Sequence, residues 1–301
     1  MSFPDNKTLL FFKKLVLFIV ALIILDYAIG NVLKYLYFKQ KSNDTTYIVN
    51  DTKEDLLVFG SSRANHQYVP SVFENKLKIT AYNCGRDGRF MIYSLALMST
   101  VLDRYKPRHI IFDLNPDEFS RSDEGRLSPL LPYLDKSGVR DYISYNSKYE
   151  NLKILSKIYP YNSIFPFKNT AHDKDFEKGY IKLHTALPPQ QITPLQQEQI
   201  NPVRVKLLSD FLSKLKTKNI KITIVISPIF FSISKDNKTV QLIENMCKEY
   251  KNVKLFNYAY STDFRDYKLY KDKFHLNEVG AQKFSDDLAN KILAAGGSIT
   301  N

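Results

Sequence analysis

The sequence predicts an α/β fold: a three-layer α/β/α sandwich on a mainly parallel sheet of about five strands, preceded by one N-terminal transmembrane helix. Three observations carry that expectation. Short, wholly apolar runs such as Leu56-Leu57-Val58-Phe59 recur along the chain, as strands buried on both faces do. They alternate with helical patterns, which implies crossover connections and parallel pairing. A long apolar segment at the N-terminus stands outside that alternation.

The totals set bounds. A chain of 301 residues has room for one large domain with an appendage, and 44% hydrophobic content suffices for a core. The formal charge of +12 is spread along the chain rather than gathered into a stripe, so it reads as a lysine-rich surface and not a nucleic-acid site. Two cysteines, Cys84 and Cys247, exclude a disulfide scaffold and show no metal-ligand spacing. Whether they pair is left open.

Lys13-Lys14 precede the apolar run Leu15–Leu25, which continues past Asp26 to Leu33. Roughly 20 helical residues cross a bilayer, so residues 15–33 are expected to contact the membrane. Tyr27, Tyr35 and Tyr37 suit the interface, with Lys34, Lys39 and Lys41 beyond. A cleaved signal peptide with Ala28-Ile29-Gly30 as its site, and a buried core helix, are the alternatives. The reading adopted is an uncleaved signal anchor over residues 1–38, with the bulk of the chain outside the cytoplasm. Lysines flank the span on both sides and do not orient it. Residues 39–53 are polar and read as a linker.

The domain over residues 54–296 opens with the strand from Leu56. Lys76–Tyr82 reads as a second strand, Phe90–Tyr105 as a helix, and His109–Leu114 as a third strand. Residues 120–195 interrupt the alternation, with helical fragments near Asp141–Ile158, and read as an inserted subdomain or lid. In that insertion His172 and His184, with Asp173, Asp175 and Glu177, match no metal motif and read as surface residues. A helix at about Gln196–Lys216, a strand over Ile220–Ser227, a helix over Val240–Tyr250 and a strand over Asn252–Asn257 resume the pattern. The amphipathic pattern over Val240–Tyr250 places Cys247 near the core, and a helix over Glu278–Ala294 closes the chain.

Two stretches carry chemistry. Gly60-Ser61-Ser62 ends the first strand abruptly, leaving a hydroxyl where open α/β sheets bind ligands. Taken alone it equally reads as a helix cap, and nothing within it chooses between the serines. Asp272-Lys273-Phe274-His275 spaces a carboxylate three residues from an imidazole, so that one ring nitrogen is held while the other faces outward.

Together these stretches resemble the SGNH/GDSL hydrolase superfamily, whose domain is flavodoxin-like, over most of residues 54–295. The resemblance implies Ser62 as nucleophile, with Ser61 where the family has aspartate, and Asp272 and His275 as its partners. Leu276-Asn277 and Gly280-Ala281 also look like the family. It places an oxyanion-hole N–H on Gly88 of Asn83-Cys84-Gly85-Arg86-Asp87-Gly88, with Gly85 the near alternative, beside the N–H of Ser62. Asn115 of Asp113-Leu114-Asn115-Pro116-Asp117 would be the third donor, although the usual flanking glycine is absent and Pro116 stands at the aspartate. Arg63 and His66, just past the serine, are candidate substrate-binding residues or a solvated helix turn.

The implied activity is that of a membrane-anchored esterase or O-acyltransferase on acyl, chiefly acetyl, esters of cell-surface carbohydrate. It needs no cofactor or metal, and some relatives work beside a multi-span acyl donor protein. A catalytically silent scaffold that binds glycan or assists envelope polymer assembly is the alternative.

Overall fold

A computed structural model describes residues 6–40, 44–121, 125–162, 175–196, 199–217 and 220–295. Helix α1 (Asn6–Phe38) is followed by α2 (Asp44–Asn50). The domain then alternates β1 (Leu56–Phe59), α3 (Ser62–Gln67), α4 (Pro70–Leu77), β2 (Ala81–Asn83), α5 (Met91–Leu102) and β3 (His109–Asp113). The insertion holds the short helices α6 (Ser137–Arg140) and α7 (Glu150–Lys153), then the two-residue strands β4 (Phe176–Glu177), β5 (Tyr180–Ile181) and β6 (Thr193–Pro194). Next come α8 (Pro202–Thr217), β7 (Lys221–Ile226), β8 (Phe231–Ser232), α9 (Lys238–Glu249), β9 (Val253–Asn257) and α10 (Glu278–Ala294).

The five-stranded sheet has the order β2-β1-β3-β7-β9, and every neighbouring pair is parallel. The chain steps outward from β1 to β2, then crosses back to β3. The order therefore reverses between β1 and β3, and a crevice opens beyond their carboxyl ends. Side chains along the apolar strands alternate between two cores. Leu57, Phe59, Ile110 and Phe112 pack with Leu95, Leu212 and Ile243 of α5, α8 and α9. Leu56, Val58 and Ile111 pack with Phe73, Phe284 and Leu288 of α4 and α10. Helices thus cover both faces.

Three sequence expectations need correction. Lys76 and Leu77 end a helix rather than start a strand: Pro70 sits in its first turn, and Lys78, at φ 56°, turns its N–H back to the Glu74 carbonyl. Only Ala81–Asn83 is strand. The helix expected from Gln196 starts at Pro202, where the Asn201 side chain accepts from the Val203 N–H at 3.0 Å. The stretch read as a linker contains α2, whose Ile48 and Val49 are buried. The Arg104 guanidinium donates to the carbonyls of Ile48, Val49 and Thr52 and to the Thr52 hydroxyl, so the polar end of α2 is fastened to the domain.

Helix α1 is long and apolar enough to cross a membrane, and its apolar window is not buried against the rest of the chain. Cys84 and Cys247 are buried free thiols.

Candidate active site

Ser62 is placed by the turn out of β1. At Gly60 the backbone has φ 154°, and a Cβ there would lie 2.7 Å from the Ala64 Cβ and 3.0 Å from the Asp113 Cβ. Glycine alone lets β1 turn so closely onto α3. Ser61 is the N-cap residue but makes no side-chain cap, and Ser62 follows as the first helical residue, half-buried in the crevice.

Its partner comes from the loop before α10. Asp272 Oδ1 accepts the N–H groups of Phe274 and His275 at 2.8 and 3.0 Å, closing a local turn. Inside that turn Asp272 Oδ2 meets His275 Nδ1 at 2.9 Å. On the other side of the ring, His275 Nε2 lies 2.7 Å from Ser62 Oγ. The carboxylate makes Nδ1 the donor, which leaves Nε2 to accept from the hydroxyl. Burial pushes the Asp272 carboxyl up, but the hydrogen bond and charge of His275, with the two amides, hold it below its ordinary range. Such a chain can take the serine proton as the oxygen attacks and stabilise the resulting imidazolium.

The loop itself is clamped by the fold. Gln67 Nε2 donates to the carbonyls of Pro228 and Phe274, each at 3.2 Å, and the Phe230 N–H donates to the Lys273 carbonyl. Phe274 packs against Phe231 with ring centroids 4.9 Å apart, forming an aromatic wall beside His275.

Arg63 does not face the crevice, contrary to the sequence expectation. It is 2% exposed. Its Nη2 donates to Asp113 Oδ1 at 3.3 Å and to Ser227 Oγ at 2.6 Å, while Nε donates to the same hydroxyl at 3.1 Å. Tyr68 and the Ser227 N–H also donate to Asp113 Oδ1, and Ser227 donates to Gln67. The guanidinium therefore ties α3 to the ends of β3 and β7 beneath Ser62, which leaves it no reach to a substrate.

His66 lies on the face of α3 that Ser62 opens, with its ring 5.6 Å from that of His275. Its Nδ1 donates to the Ile181 carbonyl at 2.8 Å, and Nε2 meets Asp87 Oδ1 at 2.9 Å. Both ring nitrogens face acceptors, an arrangement that only imidazolium satisfies fully. Burial pushes His66 down, yet the hydrogen bond and charge of Asp87 and the Ile181 carbonyl raise it overall. Asp87 is 62% exposed, so solvent screens much of this pair.

The turn after β2 separates the two glycine candidates. Gly85 donates its N–H to Asn83 Oδ1 at 2.9 Å, and a Cβ on it would strike the Asn65 nitrogen at 2.4 Å. It is a packing glycine. Gly88, at φ 64°, is half-exposed, and its carbonyl accepts from Arg126 Nη1. Two contacts hold this turn against the start of α3: the Arg86 N–H on the Gly60 carbonyl, and the Asp87–His66 pair.

Asn115 also departs from expectation. Its Nδ2 donates to Glu118 Oε2 at 2.6 Å, and its N–H donates to the same oxygen at 3.0 Å. Glu118 is in turn paired with buried Arg204 at 3.0 Å. The amide serves that buried turn and makes no hydrogen bond to Ser62, His275 or Asp272.

Sequence reasoning missed the hairpin β4–β5, which walls the site. Its Lys178-Gly179 turn has φ 46° and 85°, a two-residue hairpin signal legible in Glu177-Lys178-Gly179-Tyr180. Lys178 and Gly179 carbonyls accept from the Asn83 N–H and Asn65 Nδ2, and Ile181 holds His66. Of the insertion's candidate surface residues, His172 and Asp173 lie outside the described residues. His184 is half-exposed and bridges Asp175 and Glu278.

Asp113→Ala should lower stability by about 3–5 kcal/mol, because it strands a buried guanidinium. The double variant Arg63→Met/Asp113→Leu should recover much of that loss, read from urea midpoints in detergent. At His66, the sign follows from a folded pKa raised above the unfolded value. The pair's contribution is complete below the unfolded value and is lost as pH rises through the folded one. Asp87→Asn should therefore move the His66 ring titration, followed by NMR, to lower pH, and added salt should move the unaltered protein the same way. An unmoved titration would show that Asp87 does not govern His66.

No family model matches the chain, and no curated protein matches it. Among solved structures, it is similar to one provisionally described as a platelet activating factor from Streptococcus pneumonia. The identity is 10% and the TM-score 0.42, over 93% of this chain and 99% of that one. A neighbour at that distance says nothing about the chemistry of this chain.

Proposed function

We propose that the protein is a membrane-anchored serine esterase or O-acyltransferase of SGNH type, acting on acyl esters of cell-surface carbohydrate. The observation that carries this reading is the hydrogen-bonded run Asp272–His275–Ser62 at the carboxyl end of β1. Ser62 attacks the ester carbonyl while His275 takes its proton, and Asp272 keeps the imidazole oriented. The N–H groups of Ser62 and Gly88 receive the oxyanion. His275 then protonates the leaving alkoxide, and water or a sugar hydroxyl resolves the acyl-enzyme. The Phe231–Phe274 wall offers a face for a sugar ring or acyl chain. No cofactor is required, and a multi-span acyl donor is the partner this chemistry would use in a transferase. Helix α1 supplies the anchor, with the domain on the extracytoplasmic side.

A second reading, a catalytically silent scaffold that binds glycan, draws on the commitment of Asn115 to Glu118. Active-site labelling separates the two. The full chain in detergent should react with a fluorophosphonate at Ser62, and Ser62→Ala should abolish the labelling. His275→Ala should lower turnover of short acyl esters by roughly 10⁴-fold or more with the circular dichroism unchanged. Failure of the unaltered protein to label and to turn over such esters would favour the scaffold.

Asn115→Ala should cost stability and leave kcat within about tenfold. A fall of roughly 100- to 1,000-fold in kcat, the usual cost of one oxyanion donor, would return Asn115 to that role.

A further inference from the structure

The segment Lys148–Ile158 has an unusual surface. Tyr149, Leu152 and Leu155 are 60%, 67% and 71% exposed, with Lys148, Lys153 and Lys157 exposed among them. Its underside is firmly built. Buried Glu150 accepts from the Ser147 hydroxyl, from the Tyr159 hydroxyl at 2.6 Å, and pairs with Lys153 at 3.5 Å. The leucines point outward because the polar side of the segment is fixed to the domain.

This segment docks on α1. Asp26 accepts from the Ser156 hydroxyl, the Lys157 N–H at 2.6 Å and the Ile158 N–H at 3.4 Å. One helical turn on, a Cβ at Gly30 would lie 2.5 Å from the Lys157 carbonyl carbon, so the helix and segment touch backbone to backbone.

Helix geometry then sets the level of the segment relative to a bilayer. The uncharged run Leu15–Leu25 covers only about 16 Å at 1.5 Å per residue, against a hydrocarbon core of about 30 Å. Centred on residue 20, that core extends about ten residues each way, from about residue 10, with Lys13 and Lys14 close enough to that edge to reach the headgroups, to about residue 30. The boundary therefore falls at the turn of helix on which Lys157 packs. Asp26 lies inside it, and its three donors from the segment are what permit a carboxylate there.

We propose that Lys148–Ile158 is a second membrane contact. Leu152 and Leu155 insert at the headgroup–acyl boundary of the leaflet from which α1 emerges, with Tyr149 at headgroup level. Lys148 and Lys157 engage anionic phosphates there. The occupant is lipid because the exposed leucines immediately precede Ser156–Ile158, which dock on the apolar helix α1, and are flanked by cations, as an anionic interface demands. The domain is thereby held against the bilayer at a fixed angle. This inference rests on α1 crossing the membrane and is independent of the chemistry at Ser62.

Bimane attached at Leu155→Cys, in the full chain reconstituted into vesicles of phosphatidylcholine and phosphatidylglycerol, tests it. Cys84 and Cys247 are buried and do not compete for the label. The emission should shift to the blue and be lost when lipids carry a nitroxide near the headgroup. A label at Gln282→Cys, exposed on α10, should show neither. An aqueous Leu155 spectrum overturns the proposal, and so does a blue shift without nitroxide quenching, which marks a protein neighbour. A label at Ile19→Cys distinguishes the two levels of failure. Quenching there by deep nitroxides but not at Leu155 sinks the second contact alone, whereas no quenching at Ile19 sinks the anchor with it.

Discussion

Much of the site depends on one buried ion pair. Arg63 and Asp113 meet where β1, β3 and β7 end, and both side chains are out of water. Placing charge there is costly, and neither Arg63 Nη1 nor Asp113 Oδ2 gains a protein hydrogen-bond partner to offset it. What the pair achieves is registration. Asp113 collects Arg63, Tyr68 and the Ser227 N–H on one oxygen, so α3 and two strand ends are referred to one point. Ser62 is the residue before Arg63, and Gln67, which clamps the His275 loop, is held by Ser227 from the same cluster. Elements distant in sequence thus approach each other from a shared footing, which a hydroxyl–imidazole distance of 2.7 Å requires.

Above that footing stand two carboxylate–histidine pairs with different surroundings. In one, His275 has a carboxylate on one side and a hydroxyl on the other, so a neutral ring satisfies every partner. In the other, His66 has acceptors on both sides and is best satisfied as a cation. Similar residues thus meet different hydrogen-bonding demands according to what their second nitrogen faces. The His66–Asp87 pair joins α3 to the Asp87–Gly88 turn.

The fold was largely legible because fully buried strands announce themselves as apolar runs, and α10 was readable to its last turn. Ala81–Asn83 was not, since three residues carry too little pattern to outweigh the apolar Leu77 and Ile79 nearby. At the site, local turn chemistry drew attention to Gly60-Ser61-Ser62 and to the aspartate three residues before His275, but only the family resemblance chose Ser62 over Ser61. The structure brings Ser62, Asp272 and His275 into one hydrogen-bonded run. Arg63 misled because a charged residue beside a candidate nucleophile suggests substrate, while burial is set by strands far away in sequence. Asn115 misled for a related reason, its partner Glu118 being close but its commitment fixed by distant Arg204. Positions set by a local turn, such as Asp272 beside His275, could be read, and contacts set by tertiary partners could not.

The same distinction applies to the anchor. A polar stretch after an apolar helix suggests a loose tether, and a tether would let the domain sweep a wide volume. Instead α1 meets the domain at two levels. Asp26 and Gly30 hold Ser156–Ile158, and Tyr37 reaches Tyr133 at 3.0 Å, which also bonds Thr46 at 2.6 Å. Eleven residues separate Asp26 from Tyr37, about 16 Å of helix in contact with the domain. With α2 clamped by Arg104 as well, no long free segment is left to act as a hinge among the described residues. A helix so fixed transmits its tilt to the domain, so the placement of Ser62 relative to α1 is decided by packing at Gly30 and Tyr37 rather than by linker length.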